Sequence, residues 1–132
     1  MGVLGDKFSR MKIAAAGVFL WSLMTAVTGI AKNFSHLIFA RALIGVGESA
    51  LTPNAISMLS DLFKQNQRGT ASAIYYLGIP LGVGFGMLIA AFFGPIFGWR
   101  AVFIFLGLIG MGLGILTYFL FEPIRGQLDI NF

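Results

Sequence analysis

An arginine and a glutamate, Arg41 and Glu48, stand seven residues apart inside a stretch from Leu37 to Leu59 that is otherwise long and apolar. On a helix, two turns place them on one face about 10 Å apart along the axis. A charge in the hydrocarbon of a bilayer costs at least about 2.5 to 3.5 kcal/mol on insertion scales, so ionisable groups there are expected to be functional. Glu48 falls mid-helix, where desolvation raises a carboxyl pKa and suits it to take up and release a proton as the site meets water on alternate sides. The competing reading of Glu48 is one half of a passive ion pair, which is an inefficient route to stability. For Arg41, close to the start of the stretch, the competing reading is snorkelling to the near interface.

A second constellation is Asp6, Arg10 and Asp61. The opening run Gly2-Val3-Leu4-Gly5-Asp6-Lys7-Phe8-Ser9-Arg10-Met11-Lys12 sets an acid and a base four residues apart, a spacing that pairs them on a helical turn. An ordinary charged loop would explain the same residues with a weak surface pair. Asp61, next to Leu62-Phe63, reads locally as an acid at a helix end.

Glycine forms the third pattern. Gly78, Gly82 and Gly86 recur every fourth residue around Pro80, which predicts close approach of a neighbouring helix beside a hinge; Gly45 and Gly47 belong to the same theme, and Gly110 and Gly114 are expected to serve packing alone. The alternate glycines Gly82, Gly84 and Gly86 do not make a nucleotide-binding turn, because they lack a preceding strand, a following acid and a phosphate-binding lysine. His36, beside Asn33 and Ser35, has no second ligand near it in sequence, so no metal site is expected. Trp21, Trp99, Tyr75 and Tyr118 are expected as interface anchors or core residues.

The elements that carry these residues follow from composition. Of 132 residues, 58% are hydrophobic and 11% charged, against about 25% charged in soluble domains. A bilayer has to replace the missing polar surface. Four uncharged or nearly uncharged stretches are each long enough to span it at 1.5 Å per residue, and they predict helices over about 13–31, 37–59, 69–92 and 101–121. Gly94-Pro95 is expected to end the third and Glu122-Pro123 the fourth. The runs are apolar on nearly every face, without the alternation of a membrane barrel strand. The reading is an all-α integral membrane bundle: a cytoplasmic loop at 1–12, helices within 13–126, and a cytoplasmic tail or start of a central loop at 127–132.

Lys7, Arg10, Lys12, Lys64, Arg68 and Arg125 flank the spans on one side, whereas Lys32 and Arg100 lie on the other, and this bias assigns the first side to the cytoplasm. The same scatter argues against nucleic-acid binding despite a net charge of +4. There are no cysteines, so disulfides and thiolate metal sites are excluded. A cleaved signal peptide is not expected, since no small-residue cleavage site follows a short apolar core. No nucleophile, base and orienting group occur together, so an enzyme is not expected either.

Taken with these residues, the opening run resembles the cytoplasmic loop signature between the second and third helices of major facilitator transporters, carried by Gly2, Asp6, Lys7, Arg10 and Lys12, with Ser9 where that family usually has glycine. Arg41, Gly45 and Gly47 resemble the family's fourth-helix pattern, and Gly78-Ile79-Pro80-Leu81-Gly82 its fifth-helix glycine-proline motif. Gly45-Val46-Gly47-Glu48-Ser49-Ala50, Ser60-Asp61-Leu62-Phe63, Gly98-Trp99-Arg100 and Glu122-Pro123-Ile124-Arg125-Gly126, in this order, resemble the spinster branch. The resemblance implies helices three to six of a twelve-helix protein that rocks around a central site. It also implies a cytoplasmic gate in which Asp6 and Arg10 join Asp61, and a translocation path bearing Arg41 and Glu48. The implied activity is secondary active transport, by symport or antiport, of an amphipathic or lipid-like organic solute in the cell membrane (inner or plasma). Protons are the expected coupling ion, with no cofactor. The implied partners are the bilayer, the substrate and the remaining helices. The alternatives are an organic-anion/proton symporter of the same superfamily, and a non-transporting membrane subunit or truncated product acting only in assembly.

Overall fold

The computed structural model describes residues 2–126, so the tail expected at 127–132 lies outside the described residues. Five helices follow one another: α1 (Gly2–Lys7), α2 (Arg10–Gly29), α3 (Phe34–Leu62), α4 (Gln65–Phe97) and α5 (Trp99–Tyr118), with no strand among the described residues. Helices α2 to α5 are each long and apolar enough to cross a membrane. With a bilayer supplying no water to the backbone, helices that satisfy their own N–H and C=O groups are the available solution.

Local chemistry sets the breaks. Ser9, at φ −60° and ψ 118°, leaves the helical region and caps α2, its Oγ accepting from the Lys12 N–H at 3.4 Å. The opening run expected as loop is therefore a short helix, a break and the first turn of α2. Because Ser9 interrupts the helix, Asp6 and Arg10 do not share the helical turn that their spacing predicts. Asn33, extended at φ −145°, caps α3 by accepting from the His36 N–H at 3.0 Å.

The third span does not end at Gly94-Pro95. Helix α4 carries both Pro80 and Pro95 inside it and runs on to Phe97. A proline in the last turn loses one N–H bond, but few residues remain to be disturbed. The chain turns instead at Gly98, whose φ of 84° lies in the left-handed region open to glycine, and whose N–H donates to the Gly94 carbonyl at 2.8 Å.

The packing is built on small residues. In lipid the apolar effect does not drive helices together, and close backbone approach takes its place. Helix α2 is the hub, packed along its length against α3 and α5, while α4 touches α5 and α3 only lightly. Ala14, Ala15, Ala31, Ala40 and Ala50 are buried, and the largest fully buried side chains are Thr28 and Ser22. At the α2–α3 crossing a Cβ on Gly47 would sit 2.7 Å from the Gly17 carbonyl oxygen. At the α2–α5 crossing one on Gly107 would sit 2.5 Å from the Ala26 nitrogen, and one on Gly114 3.0 Å from the Phe19 nitrogen. Gly47 and Gly114 thus lie at close helix crossings, and Gly17, Gly29 and Gly107, which no motif marked, lie at such crossings too. A Cβ on Gly45, Gly78, Gly82 or Gly86 would meet nothing within 4 Å among the described residues, so the close approach expected there is not made by α2, α3 or α5. Helix α4 buries Ala71 and little else.

Candidate functional site

Three chain segments converge at the Arg10 end of the bundle: the start of α2, the end of α3 and the stretch after α5. Arg10 is 4% exposed although it carries a full charge. A buried guanidinium has to find partners for its N–H groups, and this one does. Its Nη1 donates to Asp61 Oδ2 at 2.5 Å and to Ser57 Oγ at 2.7 Å, its Nε to Glu122 Oε1 at 3.3 Å and its Nη2 to the Pro123 carbonyl at 3.3 Å. The Arg10 backbone N–H donates to the same Oε1 of Glu122 at 2.9 Å, and the Ser9 hydroxyl donates to Glu122 Oε2. Asp61 Oδ1 accepts from the Gly126 N–H at 2.8 Å. Arg125 ties the segment back to the start of the chain, donating to the carbonyls of Asp6 at 2.6 Å and Phe8 at 2.7 Å.

One arginine therefore joins two carboxylates from different elements. Burial pushes the Glu122 carboxyl up, yet the Ser9 hydroxyl, the Arg10 N–H and the Arg10 guanidinium together outweigh it and hold the group below its ordinary value.

Of the three expected gate residues the structure brings two together. Arg10 and Asp61 form an ion pair, whereas the exposed Asp6 enters through its backbone carbonyl and its carboxylate makes no ion pair among the described residues. The cause is the break at Ser9 described above. Sequence reasoning missed Glu122 as a partner, treating it as a helix stop. Its signal was an acid outside the apolar run in a chain of only five acids. Ser57 and the hydroxyl of Ser9 were missed as well, since serine near a helix end is ordinary.

The second site lies on α3. The residues that α3 buries, Ala40, Gly47, Ala50, Asn54, Met58 and Asp61, form one stripe against the neighbouring helices. Arg41, Gly45, Glu48 and Thr52 form another, about 140° round the axis at 100° per residue. Arg41, Gly45 and Glu48 on this second stripe are exposed. Arg41 holds its guanidinium 5.7 Å from the centre of the Phe103 ring on α5. Thr52 Oγ1 and the Tyr75 hydroxyl of α4 lie 3.4 Å apart. Glu48 makes no hydrogen bond or ion pair among the described residues, so a structural pair with Arg41 is not formed.

Glu48 stands halfway along a helix of 29 residues, about 43 Å long, which puts it near the bilayer midplane. A carboxyl there cannot face lipid cheaply. This stripe has to line a polar or protein-filled space.

Four long apolar helices with a charge network at one end and a polar stripe at mid-length define a multi-pass helical membrane protein. The family model described as Major Facilitator Superfamily matches residues 1–129. The chain belongs to the Major Facilitator Superfamily. It is 34% identical over 127 residues to Protein spinster of Drosophila melanogaster, covering 96% of this chain and 21% of that one. It is 33% identical to Sphingosine-1-phosphate transporter SPNS2 of Danio rerio, covering 97% and 26%, and 36% identical to the 3-(3-hydroxy-phenyl)propionate transporter of Escherichia coli (strain K12), covering 77% and 25%. Among solved structures, a bacterial homologue of the human lysosomal transporter Spinster, in an inward-facing and occupied conformation, superposes with a TM-score of 0.81 at 27% identity, covering 98% of this chain and 34% of that one. The similarity is to the spinster-like branch, and the chain spans about a quarter of the length of these curated relatives.

Proposed function

We propose that this chain forms part of a secondary active transporter of the cell membrane that moves an amphipathic or lipid-like organic solute by alternating access, coupled to protons. The observation that carries the reading is the stripe of Arg41, Glu48 and Thr52, turned away from the packed face of α3, with a carboxyl near the midplane that no described residue pairs. Glu48 is the proton-coupling group: facing a cavity open to one side it gains a proton, and facing the other it loses it. Arg41 offers a fixed cation about 10 Å away for an anionic headgroup. The Arg10, Asp61 and Glu122 network is the cytoplasmic gate, a latch whose elements part when the cavity opens. The exposed glycines Gly45, Gly78, Gly82 and Gly86, with Pro80, offer a smooth face for helices of the rest of the protein to slide against. The sphingosine-1-phosphate transporter among the relatives supports a lipid-like substrate.

A second reading, an organic-anion/proton symporter, is favoured by the relative that carries 3-(3-hydroxy-phenyl)propionate. Both assign Arg41 and Glu48 the same roles and differ only in the apolar part of the solute.

The test uses the full-length protein in proteoliposomes under an imposed pH gradient. Uptake of a lysolipid should be driven by the gradient and compete poorly with aromatic carboxylates, and Glu48→Gln should abolish the gradient's effect while leaving substrate exchange. The opposite competition order selects the anion reading. Gradient-driven flux that survives Glu48→Gln refutes the proton role, and an absence of flux in the folded protein favours a part in assembly only.

A further inference from the structure

On the side of α2 away from its buried arginine, an apolar groove runs between α2 and α5, with a volume of about 310 Å³. Ala15, Ala16 and Phe19 line it from α2, and Gly114 and Tyr118 from α5, with Lys12 at its mouth. The size is at the lower end of ligand pockets. Small residues leave room beside the α2–α5 contact: Ala15, Ala16 and Gly114 present at most a methyl group to the groove, which Phe19 and Tyr118 flank.

The chemistry is graded with depth. Lys12 is in the first turn of α2 and Tyr118 is the last residue of α5, so both sit where those helices leave the hydrocarbon. Phe19 is about 10 Å deeper, two turns along α2. Lys12 carries its ammonium 5.9 Å from the centre of the Tyr118 ring, and it joins no ion pair among the described residues. The Lys12 side chain is exposed, two positions and about 200° on from the inward-facing Arg10, so the two cations serve opposite faces of one helix.

We propose that this groove binds one anionic phospholipid of the cytoplasmic leaflet, its phosphate on Lys12 at the rim by Tyr118 and one acyl chain along Ala15, Ala16 and Gly114. Charge complementarity selects this occupant. The charge bias assigns the Lys12 end to the cytoplasm, where bilayers carry their anionic lipids, and the site offers a cation with no carboxylate partner among the described residues above a wall with no polar demand. The lipid is a lateral ligand rather than cargo, because the groove lies on the outer side of α2, away from the polar stripe of α3. In this role it holds α2 against α5 at the level where Gly114 meets Phe19 and where Arg10 reaches Glu122.

The test places the photo-crosslinker p-benzoylphenylalanine in the position of Ala16 in the full-length protein, in vesicles of phosphatidylcholine and phosphatidylglycerol in equal amounts. Lipid adducts on the peptide containing residue 16 are counted by mass. One lysine near an anionic headgroup contributes about a fivefold preference, so phosphatidylglycerol adducts should exceed phosphatidylcholine adducts about fivefold. Lys12→Gln should bring the ratio to about one, and Lys12→Arg should restore it, which a general loss of structure would not do. A ratio near one in the wild type, a ratio unmoved by Lys12→Gln, or crosslinks to another helix of the protein in place of lipid would each overturn the proposal.

Discussion

The Arg10–Asp61 pair makes the firmest energetic prediction. Both side chains are nearly dry, at 5% and 10% exposure, and their atoms meet at 2.5 Å. Truncating one partner of a buried, hydrogen-bonded charge pair costs about 2 to 5 kcal/mol, largely because the survivor is left buried and uncompensated. Here the two survivors are unequal. After Asp61→Ala, Arg10 keeps Glu122, Ser57 and the Pro123 carbonyl, so the loss should sit near the lower end, at about 2 to 3 kcal/mol. After Arg10→Ala, Asp61 keeps only the Gly126 N–H, while Glu122 loses its cation, so the loss should be nearer 4 kcal/mol. The double variant leaves no buried arginine to neutralise. It should cost no more than Arg10→Ala alone, which corresponds to a coupling of at least about 2 kcal/mol, well beyond the additivity error of about 0.5 kcal/mol. The assay is equilibrium unfolding of the full-length protein in mild detergent, read for all four members of the cycle. Single losses that add to within that error would refute the geometry of the network, whatever their individual sizes.

Two further outcomes follow from the same structure. The Glu122 carboxyl is held below the ordinary glutamate range of about 4.3 by Ser9 and Arg10 in spite of burial, so its contribution to stability should be present above that range and fade as pH falls through the folded-state value. The stability difference between wild type and Glu122→Gln should therefore be flat from pH 8 to about pH 5 and shrink below about pH 4, and Ser9→Gly should shift the fading to higher pH; a difference that grows on acidification has the wrong sign. Gly47→Ala must push a methyl against the Gly17 backbone and Trp21 and should lower stability by about 1 to 3 kcal/mol, whereas Gly45→Ala, with open space around it, should be neutral or gain up to about 1 kcal/mol in a thermal melt.

The spans were legible because hydrocarbon imposes a length and a polarity on any helix that crosses it, and residues such as Asp6, Lys64 and Glu122 cannot be hidden inside one. The helix ends were less so. Gly94-Pro95 reads as a stop, but a stop needs the chain to turn, and Gly98 with its positive φ offers the better turn three residues on. The Arg10 ion-pair network was half legible. Spacing alone proposed Asp6 beside Arg10 on a turn, and it had no means to see that the Ser9 cap breaks that turn and aims Arg10 at Asp61 and Glu122, residues 51 and 112 positions away. Contacts across such distances depend on which helices are neighbours, and the close crossings lie at Gly47, which a motif marked, and at Gly17 and Gly107, which none did.

Glycine is where pattern and structure part most clearly, and the reason bears on function. Gly78, Gly82 and Gly86 form the most regular repeat in the chain and meet nothing among the described residues, while Gly17, Gly29 and Gly107 lie in no repeat and a Cβ on any of them would meet a neighbouring backbone atom within 2.7 Å. A glycine stripe states only that something passes near. Helix α3 shows both uses: Gly47 locks one face to α2, and Gly45, two residues away, stands on the open stripe with Arg41 and Glu48. A face that carried a midplane carboxylate against lipid would forfeit insertion energy with nothing gained. The open glycines and the carboxyl that no described residue pairs therefore share one explanation. The locked face holds α3 to α2, and on the proposed transport reading the open face is the one that would meet water, solute and the helices of the rest of the protein.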